Sequence, residues 1–221
     1  SLAVGDIMIV QVVQSGDNFG VSSIGDATGS GWTQIAGSNI QATSANYTRA
    51  TLLYKLATAT DVAAASFAFT LATNSDDGEG AIVAFSGVDV TTPFDVTPGN
   101  VYTNIADDSQ LNATGITTVT AHSVVLMFGA YANNYNVSGW LAPNLTTPVE
   151  LFDVPFDATQ DTGSGAASWA QKVATGPTGD ATASLTGGDF NGAILIALRK
   201  ACTSTTTIPV INSTALCNGA T

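Results

Sequence analysis

Ile7-Met-Ile-Val-Gln-Val-Val13 is a continuous apolar run rich in β-branched side chains. Such a run suits a central strand covered on both faces. It opens a series of landmarks that the chain repeats. Gly5-Asp-Ile-Met-Ile-Val is followed by Gly31-Trp32, Tyr54-Lys55-Leu-Ala-Thr, Phe67-Ala-Phe-Thr-Leu and Gly80-Ala-Ile-Val-Ala-Phe85. The later half answers with Ser123-Val-Val-Leu-Met-Phe128, Gly139-Trp140, Gln171-Lys172-Val-Ala-Thr, Ala181-Thr-Ala-Ser-Leu185 and Gly192-Ala-Ile-Leu-Ile-Ala-Leu198. Five landmarks in one order indicate an internal duplication.

Each landmark reads as a strand or a strand edge. Phe67, Phe69 and Leu71 alternate with small or polar partners and predict a strand with one buried face. Ser15-Gly-Asp-Asn, Gly25-Asp, Asn74-Ser-Asp-Asp-Gly, Thr92-Pro and Gly187-Gly-Asp mark turns between strands. Asp61 to Ser66 is long enough for one helical turn, and no capped amphipathic helix of ten residues is expected. The prediction is an all-β, two-sheet β-sandwich, jelly-roll-like, with an internal pseudo-twofold duplication. Residues 1–200 are expected to form one domain with pseudo-repeats at about 3–90 and 120–200, the segment 89–121 running along the sandwich. Two separate five-stranded units are the alternative. Residues 201–221 are expected to be an extended tail or the start of a following domain.

Composition agrees with β structure: Thr, Ser, Gly, Ala and Val dominate, and only 10% of the 221 residues are charged. Seventeen acids face five bases, Arg49, Lys55, Lys172, Arg199 and Lys200, for a net charge of −12. No basic stripe can be assembled, so neither nucleic acid nor an anionic membrane is an expected partner. The longest apolar runs are too short to span a bilayer as a helix. A chain opening on Ser1 is expected to have lost sequence upstream. Sequons at Asn46, Asn112, Asn136, Asn144 and Asn212 add weak support for export.

The chemistry-bearing residues are few. His122 is the single histidine, and neither a nucleophile elbow, a His-Glu-x-x-His pair nor a Walker lysine accompanies it. Most acids, Asp107 and Asp108 among them, are expected in turns, where Asp bonds its own backbone, so no enzyme is expected. No cofactor is expected, except that Ca2+ has one candidate site at Asp76, Asp77 and Glu79, hard oxygen ligands beside a turn glycine. The spacing misses the EF-hand pattern, and a solvated turn is the competing reading. Trp169, Tyr131 and Tyr135 are the candidate carbohydrate-binding aromatics, with core packing as the alternative. Trp32 and Trp140 share a repeat position and a packing role, and Lys55 and Lys172 suit an ion pair or an edge guard. The spacing of Cys202 and Cys217 suits a disulfide closing a short loop, two free thiols being the alternative.

The pattern Gly5-Asp-Ile-Met-Ile-Val, Ser30-Gly-Trp32-Thr, Leu53-Tyr-Lys-Leu-Ala-Thr58, Ala81-Ile-Val-Ala-Phe-Ser-Gly-Val88-Asp and Thr92-Pro-Phe-Asp95 resembles a recurrent bacterial and phage surface-protein module. Ala193-Ile-Leu-Ile-Ala-Leu-Arg199 is similar to the end of such a module, and the resemblance covers roughly residues 3 to 200. In the tail, Ile208-Pro-Val-Ile-Asn and Leu216-Cys-Asn-Gly resemble the opening of immunoglobulin-like repeats in Bacteroidota surface proteins. The resemblance implies a secreted, extracellular or cell-surface location and a structural or adhesive role without catalysis. The expected partners are other copies of the chain or neighbouring domains of a larger protein, with glycans expected only on the aromatic reading.

Overall fold

The computed structural model describes residues 1–16, 24–41, 48–73, 75, 77–154 and 163–202, with only the backbone of 102 and 104–107. The earlier half contributes β1 (Ile7–Ser15), β2 (Thr28–Gly29), β3 (Thr33–Gln34), β4 (Ile40–Gln41), β5 (Thr48–Leu56), helix α1 (Ala59–Ala63), β6 (Phe69–Thr70) and β7 (Asp77–Phe85). The later half contributes β8 (Tyr102–Ala113), β9 (Thr117–Thr118), β10 (Ser123–Ala132), β11 (Val137–Leu141), β12 (Val149–Val154), β13 (Gly163–Lys172), β14 (Gly176–Pro177) and β15 (Ala181–Leu198). The fold is an all-β antiparallel sandwich.

Each half of the chain builds one sheet. The first has the order β3-β5-β1-β7, with β4 also on β5; the second has β11-β15-β10-β13-β12, with β8 on β15. In both, one long strand lies between two others: β1 between β5 and β7, β10 between β13 and β15. The duplication read from the landmarks extends to the order of these three central strands.

Period-two alternation assigns the faces. Ile7, Ile9 and Val13 of β1 point between the sheets, where they meet Leu126, Phe128 and Ala130 of β10 and Ile194, Ile196 and Leu198 of β15. The opposite face of β10 carries Val125, Met127 and Tyr131. That face is covered by the second sheet itself. Register shifts between Ser184 and Asn191 interrupt the pairing of β15 with β8, and the first part of β15, with β8 and β11, lays Leu111, Val137 and Leu185 over β10. A Cβ on Gly129 would lie 2.6 Å from Leu111, so only glycine permits this approach. The outer face of β1 is covered differently: Val10 and Val12 pack under Trp32, Phe69 and Leu71, with Trp32 edge-on to Phe67 and Phe69 at 5.7 and 5.2 Å.

Four local expectations change. Phe67 to Leu71 does not form a strand of a main sheet; only Phe69–Thr70 pairs, with Thr28–Gly29, because its rings are used to roof β1. The segments Ala181–Leu185 and Gly192–Leu198 are one 18-residue strand. The glycines expected to make a turn there lie in its register shift, with the Tyr135 ring against Gly187. The acidic pair Asp107-Asp108 sits inside the twelve-residue β8, not in a turn. The helix begins at Ala59, two residues earlier than expected, because Thr58 and Asp61 form a reciprocal capping box. Lys55 Nζ lies 2.6 Å from Asp61 Oδ1, and the Lys55 and Thr58 hydrogen bonds hold the Asp61 carboxyl down at about 2.

Residues 87–99 run beside the end of β15. Ala201 N donates to Gly87 O, Asp89 N to Arg199 O, Asp95 N to Ala197 O and Gly99 N to Leu195 O, at 2.8 to 2.9 Å. Within the Thr92-Pro-Phe-Asp95 motif, Phe94 stands edge-on to Tyr54 at 4.9 Å, and the buried Asp95 accepts from Val119 N and Thr120 N.

Candidate functional site

At the end of the sandwich where β1 finishes, the space between the sheets turns polar. The inward sequence of β1 is Ile7, Ile9, Gln11, Val13, and on β7 Glu79 lies opposite Val13 and Ala81 opposite Gln11. Gln11 and Glu79 therefore share the inner face. Facing them, β13 presents Gly163 and Gly165. A Cβ on Gly163 would lie 2.5 Å from Thr48 Cγ2, and one on Gly165 would lie 2.8 Å from both Gln11 Oε1 and Val13 Cγ2. Here the sheets are so close that the β13 positions have no room for a side chain of their own.

The polar atoms of this seam are held in defined positions. Gln11, 1% exposed, donates from Nε2 to Gly129 O at 2.9 Å, which fixes its amide so that Oε1 turns toward Gly165. That buried Oε1 has no hydrogen-bond partner. Glu79 Oε1 accepts from Gly165 N at 3.0 Å, across the sheets. Behind this pair, Tyr131 OH donates to Asp153 Oδ1 and Val137 N donates to Asp153 Oδ2, both at 2.7 Å. Asp153 thereby ties β10, β11 and β12 together.

The electrostatics are one-sided. Burial pushes the Glu79 carboxyl up to about 8; the Gly165 N–H opposes this and the charge of Asp153 adds to it. Burial, the bond to Asp153 and the charges of Asp153, Glu79 and Glu150 hold the Tyr131 hydroxyl well above its ordinary value. The seam thus has a carboxyl raised toward neutral pH, with the Tyr131–Asp153 pair across the second sheet from it.

A second feature is open. Thr33, Gln34, Ile35, Ala36, Tyr54 and Phe94, with residues 96–98, line a shallow groove of about 480 Å³ on the β3 side. None of the lining residues carries a charge. Tyr54 and Phe94 supply ring faces, and Thr33, Gln34 and Thr97 supply hydroxyls and an amide.

The expected site residues scatter. Of the calcium candidates, Asp76 lies outside the described residues, Asp77 begins β7, and Glu79 is turned inward onto Gly165. Among the described residues no three His, Cys, Asp or Glu groups come together as a metal site. The three aromatics do not form one patch. Trp169 packs toward the intersheet core, whereas Tyr131 is fully buried in the core on the opposite face of the second sheet and Tyr135 packs beside it. Alternation decides this: Trp169 lies opposite Leu126, an inward residue, while Tyr131 has the other parity on β10. Trp32 and Trp140 both roof the outer face of their own sheet, Trp140 also donating from Nε1 to Glu150 at 2.9 Å. Lys55 is ion-paired and Lys172 Nζ donates to Asn144 O. His122 occupies a left-handed turn position, φ 62°, before β10. Cys217 and the tail beyond Cys202 lie outside the described residues.

Sequence reasoning passed over Gln11 and Asp153. The signal for Gln11 was present: a polar residue at the same parity as Ile7, Ile9 and Val13. Compared with family models, curated proteins and solved structures, the chain matches none.

Proposed function

We propose that this chain is a non-catalytic extracellular module that gives structure or adhesion to a bacterial cell-surface protein or fibre. The observation that carries this reading is how the carboxylates are used. Asp61 caps α1 and pairs with Lys55; Asp26 binds Arg49, Gln34 and Asn39. Asp89 holds the turn at Thr91 and Thr92, Asp95 holds Val119 and Thr120, and Asp153 joins three strands. Acids that an enzyme would aim at a substrate here fasten loops and strands to one another. The surface-module pattern in the sequence adds location, and the tail supplies a route to self-assembly by strand addition. Light scattering against protein concentration tests this, comparing the full chain with a deletion of residues 203–221. Concentration-dependent assembly that the deletion abolishes supports a fibre protomer; a monomer in both leaves the spacer role.

A carbohydrate-binding module is the second reading, favoured by the uncharged groove over Tyr54 and Phe94. Aromatic faces flanked by hydroxyl and amide groups suit neutral sugars. Glycan-array binding that is lost in Gln34→Ala with Thr97→Ala would support it, since both residues line the groove; an array without hits removes it.

A further inference from the structure

We propose that the groove over Tyr54 and Phe94 receives the Ile208-Pro-Val-Ile211 segment of a second copy of this chain, so that copies join head to tail. The inference rests on the fibre reading above and names the surface that accepts the tail.

The walls of the groove supply the first argument. On one side Ile35 N donates to Leu52 O, and Thr33 lies opposite Tyr54. Along an antiparallel strand alternate residues turn their N–H and C=O to the same neighbour. Thr33 and Ile35 therefore serve β5, and Gln34 turns its own main-chain groups outward. On the other side Arg199 N donates to Pro93 O and Asp95 N to Ala197 O, so the N–H and C=O of Phe94 point away from β15. Gln34 and Phe94 both line the groove, and neither main chain has a partner there among the described residues. A slot with unpaired main chain on both walls suits an extended peptide, which offers an N–H or C=O at each residue.

Charge supplies the second. With a net charge of −12, copies of the chain repel one another wherever their acids face. The groove has no charged lining residue, and the sequence from Ala201 to Thr221 has none either. These two surfaces meet without that cost. Ile208, Val210 and Ile211 stand among Thr, Ser and Asn, and the groove offers them Tyr54, Phe94 and Val96. Pro209 lacks an N–H, which leaves Ile208 and Val210, of the other parity, to bond one wall.

The route supplies the third. Phe94 is bridged to Leu198, Val88 to Lys200, and Ala201 N donates to Gly87 O. The chain is therefore moving away from its own groove as it reaches Cys202. Cys202 is disulfide-bonded, and Cys217 is the one other cysteine of the chain. That pairing makes residues 203–216 a closed loop with the apolar segment in its middle. The six steps from Cys202 to Ile208 reach about 20 Å when extended. A loop on one surface and a groove on another make a heterologous contact, to which copy after copy can be added.

The test mixes two variants of the full, oxidised chain in sedimentation velocity, with circular dichroism to confirm the fold. Ile208→Asp with Val210→Asp spoils the loop and keeps the groove. Thr33→Asp with Thr97→Asp, both exposed at the groove, does the reverse. Wild type is expected to form concentration-dependent oligomers and each variant alone to stay monomeric. An equimolar mixture is expected to give dimers and nothing larger, since one variant can only donate and the other only accept. A groove variant that assembles like wild type overturns the proposal and leaves the fibre reading standing; glycan binding lost in that variant would then give the groove to sugars. A mixture that stays monomeric overturns it as well, because the loop then does not enter a neighbour's groove. Wild type that is monomeric at every concentration removes the fibre reading itself. Should the groove variant fail to fold, Ala36→Asp, exposed in the same groove, replaces it under the same outcomes.

Discussion

The two ends of the space between the sheets are built from the same strands and solve opposite problems. At one end Ile7 and Ile9 face Leu126, Phe128, Ile194 and Ile196, and the sheets are held apart by the bulk they bury. At the other, further along β1, Gln11 and Val13 face Gly165 and Val13 with Thr48 faces Gly163, and the sheets close until backbone meets side chain. The apolar end gains stability from area and tolerates changes that keep volume. The polar end depends on particular atoms, because each buried donor or acceptor must find a partner in a fixed place.

Breaking the apolar end should have the largest effect. Phe128→Ala removes a fully buried ring from the centre of the core and is expected to cost about 3–5 kcal/mol, measured by urea unfolding. At the polar end, Gly163→Ala would drive a methyl into Thr48 and Val13. A cost of about 1–3 kcal/mol follows, together with lost exchange protection where β13 meets β1. Tyr131→Phe keeps the ring and deletes the hydroxyl that serves Asp153; about 1 kcal/mol is expected from the same measurement.

The smallest effect at neutral pH, and the most diagnostic, is on pH dependence. Glu79 is raised in the folded state from 4.5 to about 8, so its contribution is fully present below the unfolded value. That contribution is lost progressively as pH rises between the two and levels off above about 8. Wild-type melting temperature should therefore decline across that window. In Glu79→Gln this part of the decline should vanish, while Phe128→Ala should keep it on a lower baseline. A slope unchanged by Glu79→Gln would mean that the two ends do not differ as described.

How much of this could be read in advance follows the same divide. The apolar end was legible, because burial repeats every second residue and Ile7 to Val13 and Val124 to Phe128 advertise it. Most of the landmarks fall on strands, while their order within each sheet is a property of pairing that the landmarks do not state. The polar end was not legible as a site. Gln11 reads as part of an apolar run, and Glu79 reads with Asp76 and Asp77 as part of an outward turn. Whether Glu79 faces solvent or Gly165 depends on its pairing with Val13, a contact between segments 66 residues apart in the numbering of the two strands. Close approach at Gly163 and Gly165 is a property of two packed sheets, and neither glycine differs locally from those in turns. β8 was missed for a related reason: Asp107-Asp108 has turn chemistry, and pairing with the register-shifted β15 overrides it.

The division of the sandwich into one sheet per half has a consequence for how the chain is made. Synthesis proceeds from the N-terminus, so β1, β5 and β7 are all complete and able to pair before β10 exists. The sheet they form already has its outer roof, Trp32, Phe69 and Leu71, within the same half. Its inner face, with Ile7, Ile9 and Leu52, has no cover until β10 and β15 emerge more than forty residues after β7, a span counted between strand ends in sequence. During that interval the nascent chain carries a folded but half-greased surface. That is the stage at which neighbouring chains or a chaperone would meet it.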